Sequence, residues 1–229
     1  MTDDRPDINM SRPEFVALIA MMFAIIAFST DAMLPALPEI GAELSPLDMT
    51  KVPLIVTAFI LGMGMGTFVT GPLSDAFGRK TVVLGTAALY ILSALGALLA
   101  HSLEMLLVAR FMQGLGAAGP RVVALAIVRD LYAGREMARL ISFIMMVFTI
   151  VPALAPLLGT GIIELSSWRG IFIAFVVFAT VATSWLMLRL PETLPREKRR
   201  PFRVRILWAA VKELLGHPVV RISIAVQAL

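Results

Sequence analysis

Residues 81–103 read TVVLGTAALYILSALGALLAHSL, 23 positions without Asp, Glu, Lys or Arg. At 1.5 Å per residue this run exceeds the roughly 18–20 residues that carry a helix across about 30 Å of hydrocarbon. Its core, ALYILSALGALLA, does not alternate apolar and polar positions, which excludes a spanning strand of about 9–11 residues. Working outward, charge-free runs recur at 52–74, 140–163 and 170–188, of 23, 24 and 19 residues. Residues 15–30 supply 16 more and continue past Asp31 through Ala32, Met33 and Leu34; residues 105–128 are interrupted only by Arg110 and Arg121. The chain is therefore expected to be an all-α integral membrane protein with six transmembrane helices.

Composition agrees. The 229 residues are 59% hydrophobic and only 16% charged, where a soluble domain carries about 25% charged residues. With no cysteine and only His101 and His217, disulfides, thiol catalysis and Cys- or His-rich metal sites are not expected, and neither a metal nor an organic cofactor is implied. The net charge of +4 is mostly topology. With the N-terminus placed in the cytoplasm, Arg5, Arg12, Arg79, Lys80, Arg129, Arg135, Arg139 and the nine basic residues from Arg189 onward fall inside, and only Lys51 and Arg169 outside. That bias follows the positive-inside rule and removes the case for nucleic acid as a partner.

The expected organisation is a cytoplasmic tail (1–14), a six-helix membrane unit (15–190), a basic linker with Pro191, Pro195 and Pro201 (191–218), and the start of a truncated seventh helix (219–229). Within the linker, Leu207, Val211, Leu214 and Leu215 recur at helical spacing, so an amphipathic helix on the inner leaflet and a solvated linker helix both fit. The tail lacks the basic region of a signal peptide, and the first span is expected to be retained. The chain is expected to be incomplete.

Gly114, Gly116 and Gly119 spell GLGAAG, a literal dinucleotide-binding pattern, but mid-span its amides are committed to the helix. These glycines, with Gly62, Gly64 and Gly66, are read as close-packing positions. Between the second and third spans, Gly71, Pro72, Leu73, Ser74, Asp75, Ala76, Phe77, Gly78, Arg79 and Lys80 form a short loop. It resembles the signature loop of the major facilitator superfamily (Gly, any, Leu, Ala/Ser, Asp, Arg, any, Gly, Arg, Arg/Lys), with Ala76 where Arg is usual. A turn made basic by topology alone explains Arg79 and Lys80 but not Gly71, Asp75 and Gly78.

The resemblance continues in register. FSTDAMLPALP (28–38) and AIVRDLY (126–132) resemble stretches of the bicyclomycin and chloramphenicol efflux transporters, and Arg110 to Gly116 resembles the superfamily's second motif. PALAPLLG (152–159) resembles the antiporter motif, with Ala155 and Thr160 in place of two glycines. The resemblance implies the N-terminal half of a major facilitator fold, two inverted three-helix repeats, working with a second six-helix half in a bacterial inner membrane. It implies proton-coupled efflux of small amphipathic drugs by alternating access. A metabolite exporter, an uptake symporter and a six-helix subunit without transport are the alternatives; an intramembrane hydrolase lacks a Ser/His or paired-Asp constellation.

The candidate site residues follow. Ionisable groups inside a bilayer are functional candidates by default. Asp31, the only acid inside the first span, sits where a proton or a cationic drug can satisfy one carboxylate in turn, although an interfacial position is also open. Arg110 lies at comparable depth, and either a pair with Asp31 or plain charge neutralisation fits. Arg121 follows Arg110 by 11 residues, about 20° from a whole number of turns, so both are placed on one side, toward a cavity with Gln113. Asp130 is expected to pair with Arg79 in a gate formed with Gly71, Asp75, Gly78 and Lys80. Pro152 and Pro156, with Gly159, are expected to bend the fifth span. Met21, Met22, Met63, Met65, Met145 and Met146 fit either an adaptable wall or ordinary lipid-facing and packing positions.

Overall fold

Helix starts follow local chemistry. Ser11 accepts from Glu14 N (3.4 Å) and opens α1 (Arg12–Asp31), with Pro13 in the first turn where no donor is needed. The structure, a computed structural model, describes residues 10–202. After α1, a single 3-10 turn at Pro35 leads into the short α2 (Leu37–Leu44). Then come α3 (Leu54–Phe77), α4 (Arg79–Leu98), α5 (Leu103–Leu131), α6 (Gly134–Leu165) and α7 (Trp168–Arg189). Ser102 caps α5 by accepting from Met105 N (3.2 Å). In the turn before α3, hydrogen bonds from Thr50 hold the Asp48 carboxyl below its ordinary range.

Among the described residues six helices are long and apolar enough to cross a membrane, the first span running continuously from Arg12 to Leu44. α1 packs along α6 as α5 packs along α3, and α4 meets α7. Exchanging the first three spans for the last three maps these contacts onto one another. Because each set holds an odd number of spans, the second must enter from the opposite side, which makes the two repeats inverted. The apolar core divides between the two ends: Phe59, Tyr90, Trp168, Phe172 and Phe175 at one, Phe15, Leu18, Val82, Ile127 and Leu186 at the other. α1 and α5 are the central, well-buried spans, whereas α6 buries only Leu140, Ile144, Ala155 and Gly159.

Glycines set the closest approach. A Cβ on Gly62 would strike the Phe111 carbonyl, and one on Gly114 the Phe59 carbonyl; one turn further, Gly66 meets Ala118 Cβ at 2.8 Å. Gly116 and Gly119 turn the other way, onto Thr86 and Tyr90 of α4. GLGAAG is thus two packing faces on one helix. Gly64 is the exception to the expectation: a Cβ there would meet nothing within 4 Å. Two positions from both Gly62 and Gly66, it is rotated by about 200° from each, off the contact face.

The segment read as a loop at 71–80 is mostly helix. Gly71 to Phe77 complete α3, Pro72 included, and Gly78 alone (φ +101°) turns the chain before Arg79 starts α4. The basic segment after Pro191 likewise begins as docked chain: Leu190, Thr193 and Leu194 are buried, and Arg200 N donates to Asp75 O (3.0 Å). The amphipathic stretch at 207–215, the seventh-helix start at 219–229 and most of the N-terminal tail lie outside the described residues.

Candidate functional site

Arg110 is fully buried in α5. Its Nη1 donates to Gln113 Oε1 (2.7 Å), its Nη2 to the Ser29 carbonyl (3.0 Å) and its Nε to the Ile55 carbonyl (3.5 Å), and its Cζ lies 4.3 Å from the Phe59 ring centroid. Ser29 occupies the last turn of α1, where carbonyls run out of intrahelical donors and the helix dipole is negative. The guanidinium therefore caps α1. Ser29 Oγ meets Tyr90 OH at 2.5 Å, tying α4 to the same centre.

The Asp31 carboxylate stands apart. Half-buried, it accepts from Thr30 Oγ1 (3.4 Å) and forms no ion pair among the described residues. Arg110 satisfies its donors two residues earlier on the backbone, so equal depth does not bring the two charges together. Gln113 Nε2 is buried without a partner among the described residues. Arg121 does not share Arg110's surroundings: Arg110 is enclosed by α1 and α3, whereas Arg121 is exposed.

At the α3–α4 joint the charges are dense. Arg79 Nε donates to Asp130 Oδ2 (2.9 Å), and Nη1 donates to Asp75 Oδ1 (2.5 Å) and Ser74 Oγ (2.7 Å). With side-chain exposures of 10% for Arg79 and 19% for Asp130, this pair is shielded enough that removing one partner strands the other. Lys80 Nζ reaches the Met187 carbonyl (2.7 Å), tying α4 to α7.

The sequence analysis missed Glu192 and Thr193. Glu192 Oε1 accepts from Arg79 N (2.8 Å) and Leu194 N (3.1 Å), its Oε2 accepts from Lys80 N (3.2 Å), and Arg199 lies 3.9 Å away. It caps α4 from 113 residues along the chain, with a negative charge at a helix N-terminus. Thr193 Oγ1 donates to Asp130 (3.3 Å). The one available signal was an acid flanked by prolines directly after a span. Glu192→Ala is expected to destabilise by about 1–2 kcal/mol, the usual loss for a helix cap. Melting in detergent measures this, and trypsin should cut faster after Arg196, Lys198 and Arg199 as that segment undocks.

Pro152 and Pro156 lie within the continuous helix α6, depriving the Phe148 and Pro152 carbonyls of helical donors. Gly159 lets α6 approach the Ala32 carbonyl at the end of α1. Of the methionines, Met22 is buried while Met65 and Met146 are more than half exposed.

A family model described as Major Facilitator Superfamily matches residues 19–229. The chain is 36% identical to an uncharacterized MFS-type transporter of Bacillus subtilis, over 80% of this chain and 46% of that protein. It is 30% identical to the bicyclomycin resistance protein homolog of Haemophilus influenzae (89% and 52% covered). To the chloramphenicol resistance protein of Pseudomonas aeruginosa it is 36% identical (78% and 42%). The chain spans about half the length of these relatives. Among solved structures it is similar in fold to a D-xylose-proton symporter (TM-score 0.68, 16% identity, 87% of this chain and 51% of that one). A human organic anion transporter is similar at TM-score 0.65 and 21% identity (84% and 51%).

Proposed function

Because the chain belongs to the major facilitator superfamily, a family of transporters rather than enzymes, we propose that its six spans are the N-terminal half of a drug/proton antiporter in a bacterial inner membrane, with the N-terminus cytoplasmic. The observation that carries the reading is the isolation of Asp31: a half-buried carboxylate that no cation pairs among the described residues. In low dielectric its charge is costly, and a proton or a drug cation relieves it equally well, but not both at once. That exclusivity is exchange. The identities of 30–36% to proteins named for bicyclomycin and chloramphenicol resistance support amphipathic drugs as the substrate class.

Arg110 holds the end of α1 to α5, so movement of either helix is felt at Asp31, and Gln113 Nε2 offers a donor to a substrate carbonyl or hydroxyl. Arg121 lies toward the vestibule. The Arg79–Asp75–Asp130 cluster, with Gly71, Gly78 and Lys80 shaping its joint, locks the cytoplasmic side, and the helix carrying Pro152, Pro156 and Gly159 yields as the halves rock. A second six-helix half supplies the opposite wall.

The test uses inside-out vesicles containing the product of the complete reading frame. Addition of a lipophilic cationic drug is expected to dissipate an imposed pH gradient. A metabolite exporter or uptake symporter, favoured by Ala155 and Thr160 in the antiporter-like motif, would leave that gradient untouched by drugs.

A further inference from the structure

A groove of about 480 Å³ opens between α1 and α6 at the Arg79 end of the bundle. Arg12, Glu136 and Arg139 line its mouth, and Ala17, Phe143 and Val147 its floor. On α6, Arg135, Arg139, Phe143 and Val147 follow at four-residue spacing, so one stripe passes from cationic to apolar. At Val147 the groove meets a second, wholly apolar one of about 280 Å³, bordered by Phe28, Val151 and Phe178. From Arg139 to Val151 is about 18 Å along the helix. That matches one leaflet, about 15 Å of hydrocarbon.

Among the described residues the charges at the mouth are paired as follows. Arg12 pairs with Glu136 at 2.7 Å, both exposed, and Arg139 lies over the Phe143 ring at 5.7 Å. Arg135 is exposed one turn before Arg139. Glu14, the other described acid near the start of α1, is turned away to Arg189 of α7 at 2.7 Å. Among the described residues two cations and one carboxylate thus line the mouth, with Arg135 exposed one turn away. This repels a cationic drug and gives a zwitterionic headgroup no advantage.

We propose that an anionic phospholipid docks here, its phosphate between Arg12 and Arg139 and one acyl chain in the trough past Phe143 and Val147. Glu136 competes with that phosphate for Arg12. The site depends on residence in a membrane, not on the transport reading, and its readout is binding.

The product of the complete reading frame, purified in neutral detergent, is titrated with phosphatidylglycerol or phosphatidylcholine while melting temperature and lipid retained in native mass spectrometry are recorded. Preferential stabilisation and retention of one phosphatidylglycerol are expected. Arg12→Gln with Arg139→Gln should weaken that lipid roughly 30-fold, at about 1 kcal/mol for each basic residue near an anionic surface. Glu136→Gln should strengthen it, an effect that loss of a merely structural ion pair would not produce. Ala17→Phe should block retention with all arginines intact, and Arg196→Gln with Lys198→Gln should change nothing. Equal loss in that remote pair would reduce the effect to diffuse electrostatics and overturn the site. Absence of a phosphatidylglycerol preference, as expected if a second half fills the groove, overturns it too, as does full retention by Ala17→Phe.

Discussion

Asp31→Asn is expected to abolish drug-induced proton release in inside-out vesicles while leaving the melting temperature unchanged. The two halves of that expectation rest on different facts. Asn copies the shape of Asp and keeps an acceptor for Thr30, but it cannot exchange a proton for a cation. The stability half rests on Arg110, whose donors go to Gln113 and to the carbonyls of Ser29 and Ile55, none of them to Asp31. Removing the carboxylate therefore strands no buried cation. One drug cation exchanged for one proton moves no net charge, so the forfeited driving force is the pH gradient, about 1.4 kcal/mol or a tenfold drug gradient per pH unit. Asp31→Glu should retain part of the activity. A variant that melts early would give Asp31 a structural role, and one that still releases protons would move the exchange site elsewhere.

The spans were legible because a charge in hydrocarbon is expensive, so uncharged runs mark the membrane directly. The ends of the helices were less so. Gly71, Pro72 and Asp75 have the composition of a turn, yet packing on α5 keeps α3 helical to Phe77, and only the positive φ of Gly78 breaks it. Depth along the membrane could be counted, and it placed Arg110 beside the end of α1. Azimuth and backbone valence could not: the last carbonyls of α1 lack donors, and Ser29 O took a guanidinium whose depth alone left a pair with Asp31 open. Glu192 was beyond reach for another reason. Its role exists only once α7 has returned the chain to the Arg79 end, 113 residues after the amide it caps.

Gly62→Ala and Gly114→Ala are expected to have the largest effect on assembly, each costing more than the roughly 1–3 kcal/mol usual for an added methylene in a packed core. The reason is reciprocity. α3 and α5, the second and fourth spans, run the same way through the membrane. Phe59-Ile60-Leu61-Gly62 faces Phe111-Met112-Gln113-Gly114, so each glycine receives the carbonyl of the partner's Phe three residues before the partner's glycine. A side chain in the way could change rotamer; a carbonyl fixed in a helix cannot, so the whole interface must part. The same separation would pull Ile55 O and the Phe59 ring away from Arg110, leaving that cation less well satisfied. The control has the opposite sign. Gly85→Ala adds a Cβ that meets nothing within 4 Å, and should be neutral or stabilise by up to about 1 kcal/mol through helix propensity. Size-exclusion yield and melting in detergent separate the cases. If Gly62→Ala and Gly85→Ala behaved alike, close approach of α3 and α5 would not be what holds the bundle together, and the Arg110 centre would need another support.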